Sequence, residues 1–291
     1  MSHHPNRRIK FLAAVISLSC AGQVFAVGTG TIANGGTGTI TTNGVNTSIN
    51  QTSDKLILNW NNFNIAKGES VNITQPDANS AILNRVNSND ITNIQGKLSA
   101  NGRVFVVNPN GIMVGAGAQI NAGGVVLSTL NISDMAFNNA TSSYIFSDNI
   151  GSNNATVENN GTINADGYGA FLFAPHIVNG SSGAITTKNG SIGLVAGTDQ
   201  ELAQTQGAVP YVRSFNPVEH ASINNAGSLT TTMPTLVGTP GYYFAHVNLQ
   251  AAGLVDSVIN HTGIISATNF VNISNNTSDT NISGIVKQRL K

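Results

Sequence analysis

The chain has a single cysteine in 291 residues. It is Cys20, close to the N-terminus. A disulfide framework is therefore excluded, and so is a thiolate-built metal site. Charge is scarce as well. Asp, Glu, Lys and Arg make up 9% of the residues, against roughly 25% in ordinary soluble domains. Basic and acidic residues balance at 13 each, so there is no positive field to hold nucleic acid or an anionic membrane. After the first 26 residues no apolar run is long enough for a transmembrane helix. Catalytic patterns are missing too. There is no Asp-x-Asp pair, no Gly-x-Ser-x-Gly, no His-x-x-x-His and no calcium-binding nonapeptide. The nearest carboxylate pairing, Asp199-Gln200-Glu201, reads as a solvated loop. His176, His220, His246 and His261 are far apart in sequence. We expect no catalytic residues, no metal and no cofactor.

Small polar residues take the place of charge. The chain holds 31 glycines and 40 asparagines, yet hydrophobic residues reach 40%, too many for a disordered tail. Turn formers alternate with short apolar triplets. Gly-x-Ile/Leu-x-Ala/Thr occurs at Gly96, Gly161, Gly183, Gly227 and Gly263, with a variant that starts at Ala118. The steps 96 to 118 and 161 to 183 are both 22 residues, and 183 to 227 is 44, which reads as two repeats. Such a period signals a solenoid, because one unit cannot bury its own apolar face. Gly and Asn interrupt every segment too soon for helices. About 265 residues at about 22 per coil give about 12 coils. Stacked at strand spacing they make a rod on the order of 55 Å long, shortened by any insertion. Ile, Val and Leu of the triplets should point inward, and Thr, Asn and Ser outward. Neutral amides suit such a stack, since like charges at strand spacing would repel.

Residues 1–26 read as a secretory signal. Arg7, Arg8 and Lys10 form its positive end, Phe11–Gly22 its apolar stretch, and Ala26 the residue before cleavage. A lipoprotein anchor at Cys20 is the rival reading, but Leu18 stands one position too close. Residues 27–291 then form one domain. Its Gly- and Thr-rich start, Gly28–Gly44, suits a cap over the first coil. Met135–Ser152 reads as an excursion from the coil, the aromatic run Tyr242–Leu249 as a coil strand, and the basic tail Gly284–Lys291 as a frayed end.

The most informative stretch is Arg103–Gly117, RVFVVNPNGIMVGAG. Five β-branched or aromatic residues make a strand, a hard turn follows, and Ile112-Met113-Val114 resumes the extended run. Asn108, Pro109, Asn110, Gly111 and Ile112 form that turn. Upstream lie Asn59-Trp60-Asn61-Asn62-Phe63-Asn64-Ile65 and Asn84-Arg85-Val86. In this order the segments resemble the secretion domain of two-partner-secreted exoproteins, the filamentous-haemagglutinin-type TpsA family. The match runs from about Gly35 to Ser133. Beyond it the chain has only the family's β-helical texture.

The resemblance implies an all-β fold. The expected architecture is a right-handed parallel β-helix with an N-terminal cap and small β elements outside the helix. It also implies a role in export rather than catalysis. The chain would cross the inner membrane by the Sec route, pass the periplasm and leave through an outer-membrane TpsB-type β-barrel transporter. It would then act at the cell surface or in the medium as an adhesin or haemagglutinin, binding glycans or proteins of a host or neighbouring cell. Asn108–Ile112 is the expected recognition motif. Asn59, Trp60, Phe63, Asn64, Ile65, Asn84, Arg85 and Val86 support it. Whether these residues are read by the transporter or required by the fold is open at this point. The competing readings are an orphan or truncated secretion domain without adhesive activity, and a β-helical polysaccharide-active enzyme.

Overall fold

A computed structural model describes residues 27–288 apart from 34, 148–153, 204–209, 233–245, 269, 277 and 278. The signal-like segment with Ala26, residues 242–245 of the aromatic run and residues 289–291 lie outside the described residues, whereas 246–249 of that run belong to the strand His246–Ala251.

The chain winds as a parallel β-helix with three faces. The first face stacks strands 46–51, 70–74, 97–100, 119–122, 162–166, 184–188, 228–232, 264–267 and 285–288, all parallel. The second stacks 55–60, 81–86, 103–107, 124–128, 169–174, 191–196, 246–251 and 270–275. The third stacks 92–94, 112–114, 156–159, 176–179, 218–225, 253–261 and 279–282. Two short antiparallel additions close the N-terminal end. Gly30–Ile32 lies along Lys55–Trp60, and Gly38–Asn43 folds back on Asn46–Gln51. They cover the edge that a first coil would otherwise leave open.

The sequence repeat maps onto the first face. Leu98, Ile120, Ile163, Ile185, Leu229 and Ile265 lie in register, one above another, and each is at least 99% buried. The glycine that opens each repeat turns the corner from the third face to the first. Its carbonyl accepts the first N–H of the next coil, as in Ser228 N to Gly183 O at 2.9 Å and Ile264 N to Gly227 O at 2.9 Å. A Cβ on Gly227 would lie 2.1 Å from the Gly183 carbonyl oxygen, so a side chain does not fit at that level, although Ala118 holds the same corner in another coil.

The long steps are single coils, not double ones. The strand at 162–166 pairs directly with 119–122, and 228–232 pairs directly with 184–188. The extra residues leave the helix and return. Among the described residues the first face therefore has nine parallel strands rather than twelve coils. At about 4.8 Å per step that is a stack of about 38 Å.

The excursions explain a second departure. Over much of the second face the outward positions are not Thr, Asn and Ser, although Asn248, Asn272 and Ser274 in its last two strands point outward as expected. The others include Ile57, Leu83, Phe105, Val126, Phe171, Phe173 and Val195, all fully buried. Residues 129–147 and a three-stranded antiparallel sheet lie over them. That sheet pairs Ser143–Phe146 with Thr198–Ala203, and Thr198–Ala203 with Tyr211–Asn216. Asp199-Gln200-Glu201 is therefore strand, with Gln200 buried, and not a solvated loop. Phe105 meets Phe137, Tyr144 and Phe146 at ring-centroid distances of 5.4, 4.7 and 6.3 Å. A second core thus forms outside the helix. The tail also departs from expectation: Ile285–Gln288 pairs with Ile264–Ala267 as the last strand of the first face.

Candidate functional site

The three motif segments meet at one corner, where the second face turns into the third. Trp60, Val86 and Val107 end successive strands of the second face; Asn59, Trp60 and Asn84–Val86 are the last residues of theirs, and residues 61–65 and 108–112 follow the strand ends. The strand register brings them together across the sequence. Asn59 and Trp60 pair with Arg85 and Val86, and Arg85 pairs with Val107.

Asn108 is fully buried at this corner. Its Nδ2 donates to Asp90 O at 2.9 Å and to Thr92 Oγ1 at 2.9 Å, while its Oδ1 accepts Asn110 N at 3.0 Å. Both amide hydrogens and the carbonyl are therefore used within the fold. The backbone closes the turn, Gly111 N donating to Asn108 O at 3.1 Å. Gly111 has φ of 123°, a conformation that a β-carbon strongly disfavours. Ile112 then enters the third face, 98% buried. Asn110 is exposed, and its Nδ2 donates to Ser88 O at 2.7 Å. Asn108 and Asn110 thus tie this turn to residues 88–92 of the coil before.

The upstream motifs work the same way. Trp60 and Phe63 pack at 5.2 Å inside the helix. Residues 61–64 leave the strand, and Ile65 rejoins by a single parallel bridge to Ile94. Asn64 Oδ1 accepts Asn93 N at 2.8 Å. Asn84 points inward, where its Oδ1 accepts the Trp60 indole N–H and its Nδ2 donates to Phe105 O. Arg85 points outward. Its guanidinium contacts Asp134 at 2.7 Å and donates to Ile132 O at 2.6 Å, which holds the excursion against the corner. Sequence reasoning missed Ser88, Asp90 and Thr92, the acceptors for the turn. It also missed Lys55, whose Nζ donates to the carbonyls of Phe137, Asn138 and Ala140. Burial holds the Lys55 ammonium below its usual range, and the nearby Arg103 adds to the effect.

The motif residues therefore divide in two. Trp60, Phe63, Ile65, Asn84, Val86, Asn108, Gly111 and Ile112 are buried frame. Asn59, Asn64, Arg85 and Pro109 are half-buried and Asn110 is exposed. The accessible surface is a shallow trough bordered mainly by Asn, Ser and Thr residues. One part, of about 280 Å³, is lined by Arg85, Asn87, Ser88, Asn89, Pro109 and Asn110. The adjoining part, of about 380 Å³, is lined by Thr29, Thr31, Asn59, Asn61, Asn87 and Ser88. Asn87 and Ser88 belong to both. Among the described residues no group of His, Cys, Asp and Glu is placed to hold a metal ion, and no helix is long and apolar enough to cross a membrane.

Comparison with known proteins places this geometry. Two haem/hemopexin-binding proteins of Haemophilus influenzae are similar over part of the chain. One is 38% identical over 91 residues and the other 37% over 99. These stretches cover 31% and 34% of this chain and 10% of each relative, so the likeness spans about a tenth of those proteins. Among solved structures, the secretion domain of HMW1 from Haemophilus influenzae superposes with a TM-score of 0.66 and 26% identity. It covers 90% of this chain and 73% of that one. The family description "TPS secretion domain" matches residues 26–288. The chain belongs to the TPS secretion-domain family, the secretion domains of TpsA exoproteins.

Proposed function

We propose that this domain is the export signal of its protein, and that an outer-membrane TpsB-type β-barrel transporter reads it at the corner built by the three motifs. The observation that carries this reading is the convergence itself. Segments from Asn59 to Ile112 form one trough bordered mainly by Asn, Ser and Thr, and every buried amide beneath it is satisfied. Asn108–Ile112 and its supporting residues set the shape of the trough. Pro109, Asn110, Asn87, Ser88 and Asn61 are the groups a partner would touch. Delivery by the Sec route, with Ala26 as the residue before cleavage, and passage through the periplasm complete the path. An elongated chain with 9% charge threads a pore without carrying folded bulk. Coil formation outside then opposes back-sliding, since each coil buries aliphatic side chains at about 25 cal/mol per Å².

The exported protein is proposed to act at a surface as an adhesin, binding glycans or proteins of a host or neighbouring cell. Family membership supports export; the adhesive part rests on the haemagglutinin-type resemblance alone. Asn108→Ala tests the frame. It leaves the carbonyl of Asp90 and the hydroxyl of Thr92 without their donor, at about 1–3 kcal/mol. The refolded domain should unfold at lower denaturant and the chain should be exported poorly. Normal stability with normal export would contradict the assignment.

A further inference from the structure

Seven Asn–Gly pairs occur in the chain. Six lie among the described residues, at Asn43, Asn101, Asn110, Asn160, Asn179 and Asn189. The pair has a chemistry of its own. The glycine nitrogen has no Cβ beside it, so it can reach the side-chain carbonyl carbon of the preceding asparagine and close a five-membered ring. Closure asks two things of the fold. The asparagine amide must be free to turn toward its own backbone, and the glycine N–H must be free to give up its proton to solvent.

Four of the six pairs are locked on both counts. The Asn101 amide accepts from Gln75 N at 2.7 Å and donates to Gln75 O at 2.8 Å, while Gly102 N donates to Gln75 Oε1 at 2.9 Å. Asn110 Nδ2 donates to Ser88 O, and Gly111 N to Asn108 O. Asn160 Nδ2 donates to Glu158 Oε1, and Gly161 N to Asn159 Oδ1. Asn179 is fully buried, its amide bonded by Asn159 on one side and Asn225 on the other, and Gly180 N donates to Asn159 O. Asn189 is exposed, but its N–H donates to Thr232 O and Gly190 is buried between coils. A Cβ on Gly190 would lie 2.7 Å from Gly169 N, so the backbone there has little room to turn.

Asn43–Gly44 differs in each respect. Both residues are exposed, at the tip of the hairpin that pairs Gly38–Asn43 with Asn46–Gln51. Gly44 has φ of 58°, and no atom lies within 4 Å of the place its Cβ would take. Among the described residues nothing bonds the Asn43 side-chain amide or the Gly44 N–H. To close the ring, the backbone at Asn43 has only to release the last cross-strand pair, Asn43 with Asn46, and frayed ends of this kind open at little cost.

We propose that Asn43 is a modification site of the folded domain, where asparagine converts spontaneously to aspartate and isoaspartate, and that the stacked coils spare the other five described pairs. The Gly44 nitrogen gives its proton to solvent and attacks Cγ of Asn43. A bond forms between them, the bond from Cγ to Nδ2 breaks, and the side-chain nitrogen takes up a proton and leaves as ammonia. Water then opens the ring. Attack at Cγ gives aspartate, and attack at the main-chain carbonyl gives isoaspartate. Water is the only co-reactant, and nothing is oxidised or reduced. Either product places a negative charge on the hairpin that covers the first coil, and isoaspartate lengthens its main chain by one carbon.

Peptide mapping by mass spectrometry tests this on the full chain, aged folded in mildly alkaline buffer beside a second sample aged in urea. The rate at each site in the folded chain is divided by the rate at the same site in urea, which removes the effect of local sequence. That ratio should be at least about tenfold higher at Asn43 than at Asn101, Asn110, Asn160, Asn179 or Asn189, because those five react only after their coils open. Aspartate and isoaspartate should both appear at position 43, since the ring opens at either carbonyl. A margin below about tenfold over any of the five, or aspartate alone at position 43, would overturn the proposal.

Discussion

The indole nitrogen of Trp60 donates to Oδ1 of Asn84 at 3.0 Å inside the helix, and Nδ2 of Asn84 reaches on to the carbonyl of Phe105 at 3.3 Å. Three successive coils of the second face are joined by one buried amide. A polar side chain survives in this core because both of its ends are satisfied.

Asn84→Leu follows from that arrangement. The substitution leaves the Trp60 N–H buried without an acceptor, at a cost of about 1–3 kcal/mol. Trp60 is the only tryptophan in the chain, so its fluorescence reports the change directly. The unfolding midpoint should drop and the emission should alter. An unchanged midpoint would show that the indole finds another partner.

The outer core makes a separate prediction. Phe105→Ala removes a fully buried ring that meets Phe137, Tyr144 and Phe146, and should cost about 3–5 kcal/mol. Limited proteolysis should then cut within 129–147 before it cuts the helix. Thr230→Ala on the outer side of the first face should stay within about 0.5 kcal/mol. Equal effects of the two would mean that the excursions contribute no core.

Alkali should weaken the same region. Burial pushes the Tyr168 hydroxyl far above the ordinary tyrosine value, with the neighbouring Tyr144 adding and Arg103 opposing. It raises Tyr144 as well, again against Arg103. For a raised acid, stability is intact below the unfolded value near 10 and falls as pH rises above it. One such group loses about 1.4 kcal/mol per pH unit. Lys55, whose folded value is lowered, acts in the opposite sense but below the unfolded lysine value near 10.5, so above that the tyrosines set the slope and it should be negative. Tyr168→Phe should flatten that slope. It should cost little at neutral pH, because the hydroxyl it removes is buried without a partner. An alkaline slope unchanged in the variant would contradict the assignment.

The sequence displayed the coil but not its covering. The Gly-x-Ile/Leu repeat marks the first face because one glycine per coil turns the same corner and one aliphatic residue follows it inward. The second face was misread because alternation cannot show that an outward Phe105 or Leu83 will be met by residues far along the chain. The doubled spacings had the same cause. Forty-odd residues between repeats look like two coils unless the intervening segment is known to leave the helix, and Tyr144 and Phe146 gave the only hint of that. At the site, the turn from Asn108 to Ile112 was legible from Pro and Gly. Its acceptors Asp90 and Thr92 were not, since ordinary polar residues become specific only once the coils are stacked in register.

Asn110→Arg tests the central claim most directly. The residue is exposed, and its one bond out of the turn runs to Ser88 O, so the folded domain should keep its unfolding midpoint to within about 0.5 kcal/mol. Export through the transporter, measured in the same cells as the wild-type chain, should fall sharply. Export at the wild-type rate from a domain of wild-type stability would show that the transporter does not read this corner.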